Sequence, residues 1–466
     1  MTKIKFGTDG WRAIIAKEYT TENVARVAYA TALWVKQKSD NHSVVIGYDC
    51  RFAGRLFTET TISVLVNEGI KVYASEGFVS TPMVSLSTLL HKAYAGIVIT
   101  ASHNPPSYNG FKIKAHYGGP AIQDEIDAIE ALIPDSFDVE IQSWEVLKAN
   151  HLVEIIDQEQ EYIDHVYKNF DIEAIRNCGL KFGYDAMYGA GQNVIRRILP
   201  ETFLMHAEFN PSFMGQAPEP IARNLVPFAE EIRKQGLSSG LATDGDADRI
   251  GLFDEKGNFV DSHHIILLLI RYLVEFKGIK GNVYNSFSCT SKIKNLCDHY
   301  GIENHVTKIG FKYICKEMIE NPSLLGGEES GGIAVSTHIP ERDGIWMGLI
   351  LWEYMAKTGK LLSQLIDEVY EITGSFAMDR YDMHVEDSKK WAIIDQCNSE
   401  EGFAAFGGYK TQGKETVDGI KFLLENDAWV MIRPSGTEPL LRVYAQAATH
   451  KDVLAILDAT KETILA

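Results

Sequence analysis

The stretch "LKFGYDAMYGAG" (180–191) repeats the plan of "VVIGYDCRFAGR" (44–55): an apolar run, Gly-Tyr-Asp, then a turn of small residues. A strand that feeds such a turn and opens a helix is the first half of a βαβ unit. A third round begins at "GNVYNSFSCTSKI" (281–293). Around the first copy lie three short β-branched runs, "SVVIGYD" (43–49), "IKVYASE" (70–76) and "AGIVIT" (95–100). They alternate with "RLFTETTISVLVNEG" and "STPMVSLSTLLHKAY", whose apolar residues recur at helical spacing. This alternation predicts repeated α/β units on a largely parallel sheet. The last part of the chain reads differently. "FAMDRYDMHVE", "GIKFLLENDAWVMIRPSG" and "LLRVYAQA" are strand-rich and a helix closes the chain, which predicts a smaller α+β domain.

The 466 residues exceed what one hydrophobic core supports, and length alone suggests about three domains. Linkers are expected near 145–155 and 370–376. With 45% hydrophobic and 23% charged residues the composition is that of a globular protein. A net charge of −18 argues against nucleic acid or an anionic membrane as partner, because both would be repelled. It leaves room for a small anion in a locally basic pocket. The most apolar window, "IILLLIRYLVEF" (265–276), contains Arg271 and is shorter than the roughly 20 residues a membrane span needs, so it reads as a buried helix. "MTKIKFGTDGW" has no secretory signal pattern, and the six cysteines form no CxxC pair. Reduced thiols in a cytoplasmic protein are the expectation.

"ATDGDADRIGLFDEKG" (242–257) sets Asp244, Asp246 and Asp248 at alternate positions. Three carboxylates so close repel one another unless a cation lies among them, and hard oxygen ligands suit Mg²⁺ or Ca²⁺. An EF-hand is excluded: Arg249 stands where that loop requires glycine, and the flanks read as strands. The competing reading is a solvated acidic hairpin turn. A phosphate oxygen is a suitable further ligand for Mg²⁺.

"IRPSGTEPLLRVYAQA" (432–447) places Arg433, Ser435, Gly436 and Thr437 in a turn between two strands. Guanidinium, hydroxyl and backbone N–H donors gathered in one turn suit phosphate oxygens, although a plain Pro-Ser-Gly hairpin turn has the same letters. "LLGGEESGGIAVSTHIPERDG" (324–344) carries Glu328, Glu329 and Ser330 at a glycine turn, then His338, Arg342 and Asp343. Carboxylate and hydroxyl groups there could orient a polyhydroxylated ligand. Upstream, Lys308 and Lys312 flank a glycine in "TKIGFKYI", either as solvated helix-entry lysines or as phosphate contacts.

"TASHNPPSYNGFKIK" (100–114) puts Ser102 beside His103 at a loop tip with no evident base, and Lys112 and Lys114 follow on a strand. The two lysines are expected on opposite faces, so that only one of them would face a site.

With "TASHNP", "DGDADR", "GEESGG" and "RPSGTEP" in this order, preceded by "FGTDGWR" (6–12), the whole chain resembles the α-D-phosphohexomutase superfamily of phosphoglucomutases and phosphomannomutases. The resemblance implies an α/β fold of four domains around a central cleft. These are three related α/β units (1–150, 151–255 and 256–372) and a smaller C-terminal α+β domain (373–466), each bringing one loop to the cleft. It implies an isomerase acting on small hexose phosphates through a phosphoserine at Ser102. Mg²⁺ would be held by Asp244, Asp246, Asp248 and an oxygen of the Ser102 phosphate. Arg12 would support the phosphoserine, Arg249 would lie near it, and His103 and Lys112 match positions for proton transfer and charge balance. Glu328 and Ser330 would grip sugar hydroxyls, and Lys308, Arg433, Ser435, Gly436 and Thr437 would hold the phosphate that is not reacting.

The cycle so implied converts glucose 1-phosphate to glucose 6-phosphate through glucose 1,6-bisphosphate. Dual glucose/mannose members end the sugar loop in histidine, where this chain has Gly332, and glucosamine-type members read Gln at Glu329. Glucose is therefore the expected sugar, mannose the alternative, and glucosamine follows. His338 is the candidate to replace the missing histidine as a base. A metal-dependent phosphatase would share the serine and Mg²⁺ but has no use for a distal phosphate cradle. A non-catalytic sugar-phosphate binder has no use for the serine with three aspartates.

Overall fold

The computed structural model describes residues 3–7, 9–400, 402–435 and 440–466. The chain forms two compact units, one of residues 1–284 with 310–367, the other of 285–309 with 368–466.

The first unit contains a six-stranded sheet in the order Trp11–Ile14, Tyr108–Ala115, Ala95–Ile99, Ser43–Tyr48, Lys71–Ser75, Val153–Ile156. The last four strands are mutually parallel, whereas Tyr108–Ala115 and Trp11–Ile14 add antiparallel. The sheet is thus mixed, because the turn after Ala95–Ile99 sends the chain straight back. Every residue of Ser43–Tyr48 and Ala95–Ile99 is buried, as expected of strands covered on both faces. Helices Gly54–Asn67 and Thr81–Leu90 occupy the stretches with helical spacing. Ser80 Oγ accepts the Met83 N–H and Pro82 sits in the first turn, so the second helix starts at a defined point.

The expected linker at 145–155 is instead structured. Helix Trp144–Lys148 leads into Val153–Ile156, which pairs with Lys71–Ser75 as an edge strand. The first sheet therefore extends past residue 150.

"LKFGYD" becomes strand Phe182–Asp185, which runs parallel to Ser239–Thr243 and Phe203–Met205 in a five-stranded sheet. Ser239–Thr243 and Ile250–Phe253 form an antiparallel hairpin whose turn is the acidic loop. The third echo, Asn282–Ser286 followed by helix Lys292–Tyr300, is where the chain passes into the second unit. Ser323–Gly327 and Ile333–Val335 form the hairpin of the "GEESGG" loop. The apolar window at 265–276 is a buried helix, Ser262–Arg271, ending in a π turn. Among the described residues no helix is long and apolar enough to cross a membrane.

The second unit has an antiparallel sheet in the order Ala377–His384, Leu440–Ala447, Trp429–Pro434, Ile420–Leu423, Gly413–Glu415. Val430, Ile432, Leu441 and Val443 pack against Val453, Ile456 and Leu457 of the closing helix His450–Leu465. Helix Leu362–Thr373 runs through most of the expected linker at 370–376, so only residues 374–376 connect it to the first strand.

Candidate active site

Ser102 follows strand Ala95–Ile99 and holds a left-handed backbone, with φ 53°. That conformation is uncommon for a non-glycine residue and must be held by its surroundings. Arg51 does much of the holding. Its Nη2 donates to the carbonyls of Ser102 and Asn104, both at 2.6 Å, and its Nη1 to those of Pro105 at 2.9 Å and Tyr108 at 3.0 Å. Asp49 anchors Arg51 at 3.3 Å and accepts the Thr100 hydroxyl at 2.6 Å. Burial pushes the Asp49 carboxyl up to about 6 even with Arg51 beside it.

Ser102 Oγ donates to Asp244 Oδ2 at 2.6 Å and lies 3.3 Å from His103 Nδ1. The acidic loop approaches this closely because residue 245 is glycine. A Cβ there would stand 2.5 Å from the Ser102 carbonyl oxygen.

Asp244, Asp246 and Asp248 are wholly buried and each offers an oxygen within 4.8 Å of the others. Asp246 Oδ2 accepts from Thr81 Oγ1 and from Lys112 Nζ at 2.8 Å. Asp248 Oδ2 accepts from Lys112 at 2.9 Å and pairs with Arg342 at 2.7 Å. The opposite oxygens, Asp246 Oδ1 and Asp248 Oδ1, are buried with no partner. Burial, then Asp246 and Asp248, push Asp244 well above the usual carboxylate range. Burial raises Asp246 as well, but Lys112 outweighs it and holds that carboxyl low. Unpartnered buried carboxylate oxygens in a close trio fit a hard divalent cation, which would satisfy them and offset their mutual repulsion.

Lys112 and Lys114 share a face, contrary to expectation, because residues two apart on a strand point the same way. Both are fully buried, and both reach Asp9, at 2.8 Å and 3.8 Å. Lys112 meets the aspartates, whereas Lys114 meets Glu341 at 2.7 Å, and Glu341 accepts the Ser85 hydroxyl. Burial lowers Lys112, but Asp246, Asp248 and Asp9 outweigh it, so its ammonium stays charged well above neutral pH. Burial raises Asp9, yet Arg342, Lys112, Lys114 and Arg12 together hold it well below the usual range.

Arg12 reaches the serine loop through Asn104 Oδ1 at 2.8 Å. Burial, then Arg249 and Arg12, depress His103 well below its ordinary value, which leaves a neutral imidazole next to Ser102. Arg249 donates its backbone N–H to Asp244 at 3.1 Å, closing the acidic loop.

The "GEESGG" loop touches the acidic hairpin where Ile250 N–H donates to the Gly331 carbonyl at 3.1 Å. Glu328 is buried and accepts the Gly310 N–H at 2.9 Å, and burial raises its carboxyl to about 7 against the pull of Arg342. Ser330 is exposed at the loop tip. A Cβ at residue 332 would stand 2.6 Å from Arg342 Cδ, so Arg342 fills the space a larger residue would need. His338 does not serve as a replacement base. It is sealed from solvent, stacked on Trp346 at 3.8 Å, and bonded to His165 and Asp343. Nor is Lys312 a solvated lysine, since it is half-buried and donates to Gln123.

In the second unit, Arg433 lies next to the end of strand Trp429–Pro434 and pairs with Asp418 through Nε at 3.1 Å and Nη2 at 3.2 Å. Ser435 follows, its N–H donating to the Leu440 carbonyl at 2.8 Å, and Lys308 is exposed after strand Asn304–Thr307. Gly436 and Thr437 lie outside the described residues.

Four family models match along the chain. They are the phosphoglucomutase/phosphomannomutase α/β/α domains I, II and III at residues 3–138, 160–257 and 261–372, and the C-terminal domain at 384–463. A phosphoglucomutase/phosphomannomutase of Thermococcus kodakarensis is 30% identical over 97% of this chain and 96% of its own. The chain belongs to the phosphoglucomutase/phosphomannomutase family. As a phosphohexomutase it is an enzyme of the isomerase class. It has four domains, not the three suggested by length alone, because three of the family's domains are repeats of one α/β plan.

Other members of the family include a phosphoglucosamine mutase of Methanocaldococcus jannaschii, 32% identical over 97% of this chain and 96% of its own. A solved structure from Thermus thermophilus, provisionally described as a phosphomannomutase, superposes with a TM-score of 0.87 at 32% identity over all of both chains.

Motifs alone do not bring out Asp9, Asp49, Arg51, Thr81 and Glu341 of this phosphohexomutase. Asp9 lies inside "FGTDGWR" and Asp49 and Arg51 inside "GYDCR", so the letters are on view without a partner to give them meaning.

Proposed function

We propose that this phosphohexomutase interconverts glucose 1-phosphate and glucose 6-phosphate, with Ser102 as the phosphoryl carrier. The observation that carries the reading is the 2.6 Å bond from Ser102 Oγ to Asp244 within a buried carboxylate trio that has unpartnered oxygens. Phosphoryl transfer needs positioning and charge neutralisation more than covalent elaboration. Asp244, Asp246 and Asp248 would hold Mg²⁺, which would draw negative charge from a phosphoryl group at Ser102.

In the cycle, phospho-Ser102 donates to the free 6-hydroxyl of glucose 1-phosphate. The bond from phosphorus to the serine oxygen breaks and one to the sugar oxygen forms, giving glucose 1,6-bisphosphate. The intermediate turns over and returns its 1-phosphoryl group to Ser102, leaving glucose 6-phosphate. His103, with Nδ1 3.3 Å from Ser102 Oγ, is placed to take and return the hydroxyl proton. Lys112, held as a cation, balances charge. Arg12 orients the loop through Asn104, and Arg249 lies at the acidic loop beside it. Glu328 and Ser330 grip sugar hydroxyls, while Lys308, Arg433, Ser435, Gly436 and Thr437 hold the distal phosphate.

Glucose rests on the "GEESGG" loop, with Glu329 where glucosamine-type members read Gln and no histidine at 332. Glucosamine 1-phosphate is the second reading, favoured by the relative named for it. Turnover of glucose, mannose and glucosamine 1-phosphates, compared with Mg²⁺ and a trace of bisphosphate present, tests the choice. Fastest turnover of glucosamine 1-phosphate would replace glucose, and release of inorganic phosphate at the turnover rate would replace the mutase with a phosphatase.

A further inference from the structure

Asp418 belongs to none of the motifs above, yet in the second unit three hydrogen bonds converge on its carboxylate. It lies in the turn between strands Gly413–Glu415 and Ile420–Leu423. Oδ1 accepts Arg433 Nε at 3.1 Å, and Oδ2 accepts Arg433 Nη2 at 3.2 Å. Oδ2 also accepts the Ile309 backbone N–H at 2.9 Å, one residue beyond Lys308. The turn is pressed onto the neighbouring strand, because a Cβ on Gly419 would stand 2.9 Å from the Ile432 carbonyl oxygen and 3.0 Å from Arg433 Cβ.

A two-point contact on the Nε–Nη2 edge fixes the plane of a guanidinium and turns its other edge outward. Nη1 has no partner among the described residues. The pair is only partly buried, 21% exposed at Arg433 and 23% at Asp418, and exposed ion pairs contribute little to stability. A carboxylate beside an anion site also repels the anion, so a purely electrostatic design would leave it out.

We propose that Asp418 is a positioning residue for the phosphate grip. It sets the Arg433 guanidinium and ties down the backbone next to Lys308, so that both cations are presented in fixed places to a phosphoryl group of the substrate. The inference rests on the reading of Arg433 as a phosphate contact.

The test is a double-mutant cycle in the full-length protein with Asp418→Ala, Arg433→Ala and the pair, assayed with whichever of the three hexose 1-phosphates is turned over fastest. Asp418→Ala is expected to raise KM about tenfold with kcat within about twofold of the parent. In the Arg433→Ala background the same change should raise KM clearly less, by no more than about threefold, since only the backbone beside Lys308 is then left to position. Asp418→Asn, which keeps an acceptor, should fall between, and thermal midpoints show whether each variant folds. A KM unmoved by Asp418→Ala but raised by Arg433→Ala overturns the inference and leaves the phosphate-grip reading standing. So does an Asp418→Ala effect of equal size in both backgrounds. A KM unmoved by Arg433→Ala overturns the reading itself, and the inference with it.

Discussion

Ser102 and Asp244, 142 residues apart in sequence, are joined by a 2.6 Å hydrogen bond, and Gly245 packs against the Ser102 carbonyl beside that contact. The contact depends on residue 245 having no side chain, since the nearest atom to a Cβ there is a backbone oxygen that cannot swing aside. Gly245→Ala is expected to destabilise the protein by about 1–3 kcal/mol and to lower kcat/KM by about a hundredfold by separating the two loops. Urea unfolding and steady-state kinetics read the two effects. Full activity in this variant would mean the loops need not meet.

Arg51 answers four carbonyls of the serine loop with one planar group. An ammonium has three donors and no fork, so Arg51→Lys should leave buried carbonyls unmet at about 1–3 kcal/mol each. The expected result is a lower thermal midpoint with kcat reduced at least about tenfold. An unchanged kcat would show that Ser102 is placed without this clamp.

Glu328 gives a pH dependence with a definite sign. Burial raises its carboxyl from 4.5 to about 7, so the fold favours its protonated form. That contribution is fully present below pH 4.5 and is lost as pH rises through about 7. Glu328→Gln, neutral and able to accept the Gly310 N–H, should remove this slope. Relative to the parent it should gain about 3 kcal/mol between pH 4.5 and 8. Unfolding midpoints across that range measure the difference, and parallel profiles would refute it.

The part of the site legible in the sequence is the part carried by contiguous letters. The spacing of Asp244, Asp246 and Asp248 marks them as candidate cation ligands, and Ser102 stands out at a loop tip. Arg51 and Asp9 do not, because their meaning comes from partners far along the chain: Arg342, which meets Asp9, is 333 residues away. Reading alternation along a strand as a change of face misplaces Lys114, since two residues make one full period. His338 draws notice as a candidate base, but its ring is packed against Trp346. The edge strand Val153–Ile156 escapes notice because its four residues pair only through a neighbour much earlier in the chain. The α/β units and the closing α+β domain are readable, since strand–turn–helix periodicity is local.

The carboxylate trio predicts a response to metal that does not depend on turnover. Mg²⁺ at about a hundred times its Kd should stabilise the fold by about 2.7 kcal/mol. Asp244→Asn should blunt that gain, and chelation should abolish activity until Mg²⁺ is restored. A thermal midpoint indifferent to Mg²⁺, with activity surviving chelation, would remove the cation from the account.

The central claim is that Ser102 carries the phosphoryl group. The most direct measurement is peptide mass analysis of the active protein before and after mixing with excess glucose 1-phosphate, alongside the turnover of Ser102→Ala. The account predicts one phosphoryl group on the Ser102 peptide, still present after mixing because each turnover replaces it with the sugar's own 1-phosphoryl group, and a folded Ser102→Ala variant without mutase activity. An active protein with no phosphoryl group on that peptide, or a variant retaining about a tenth of the parent rate, would contradict it.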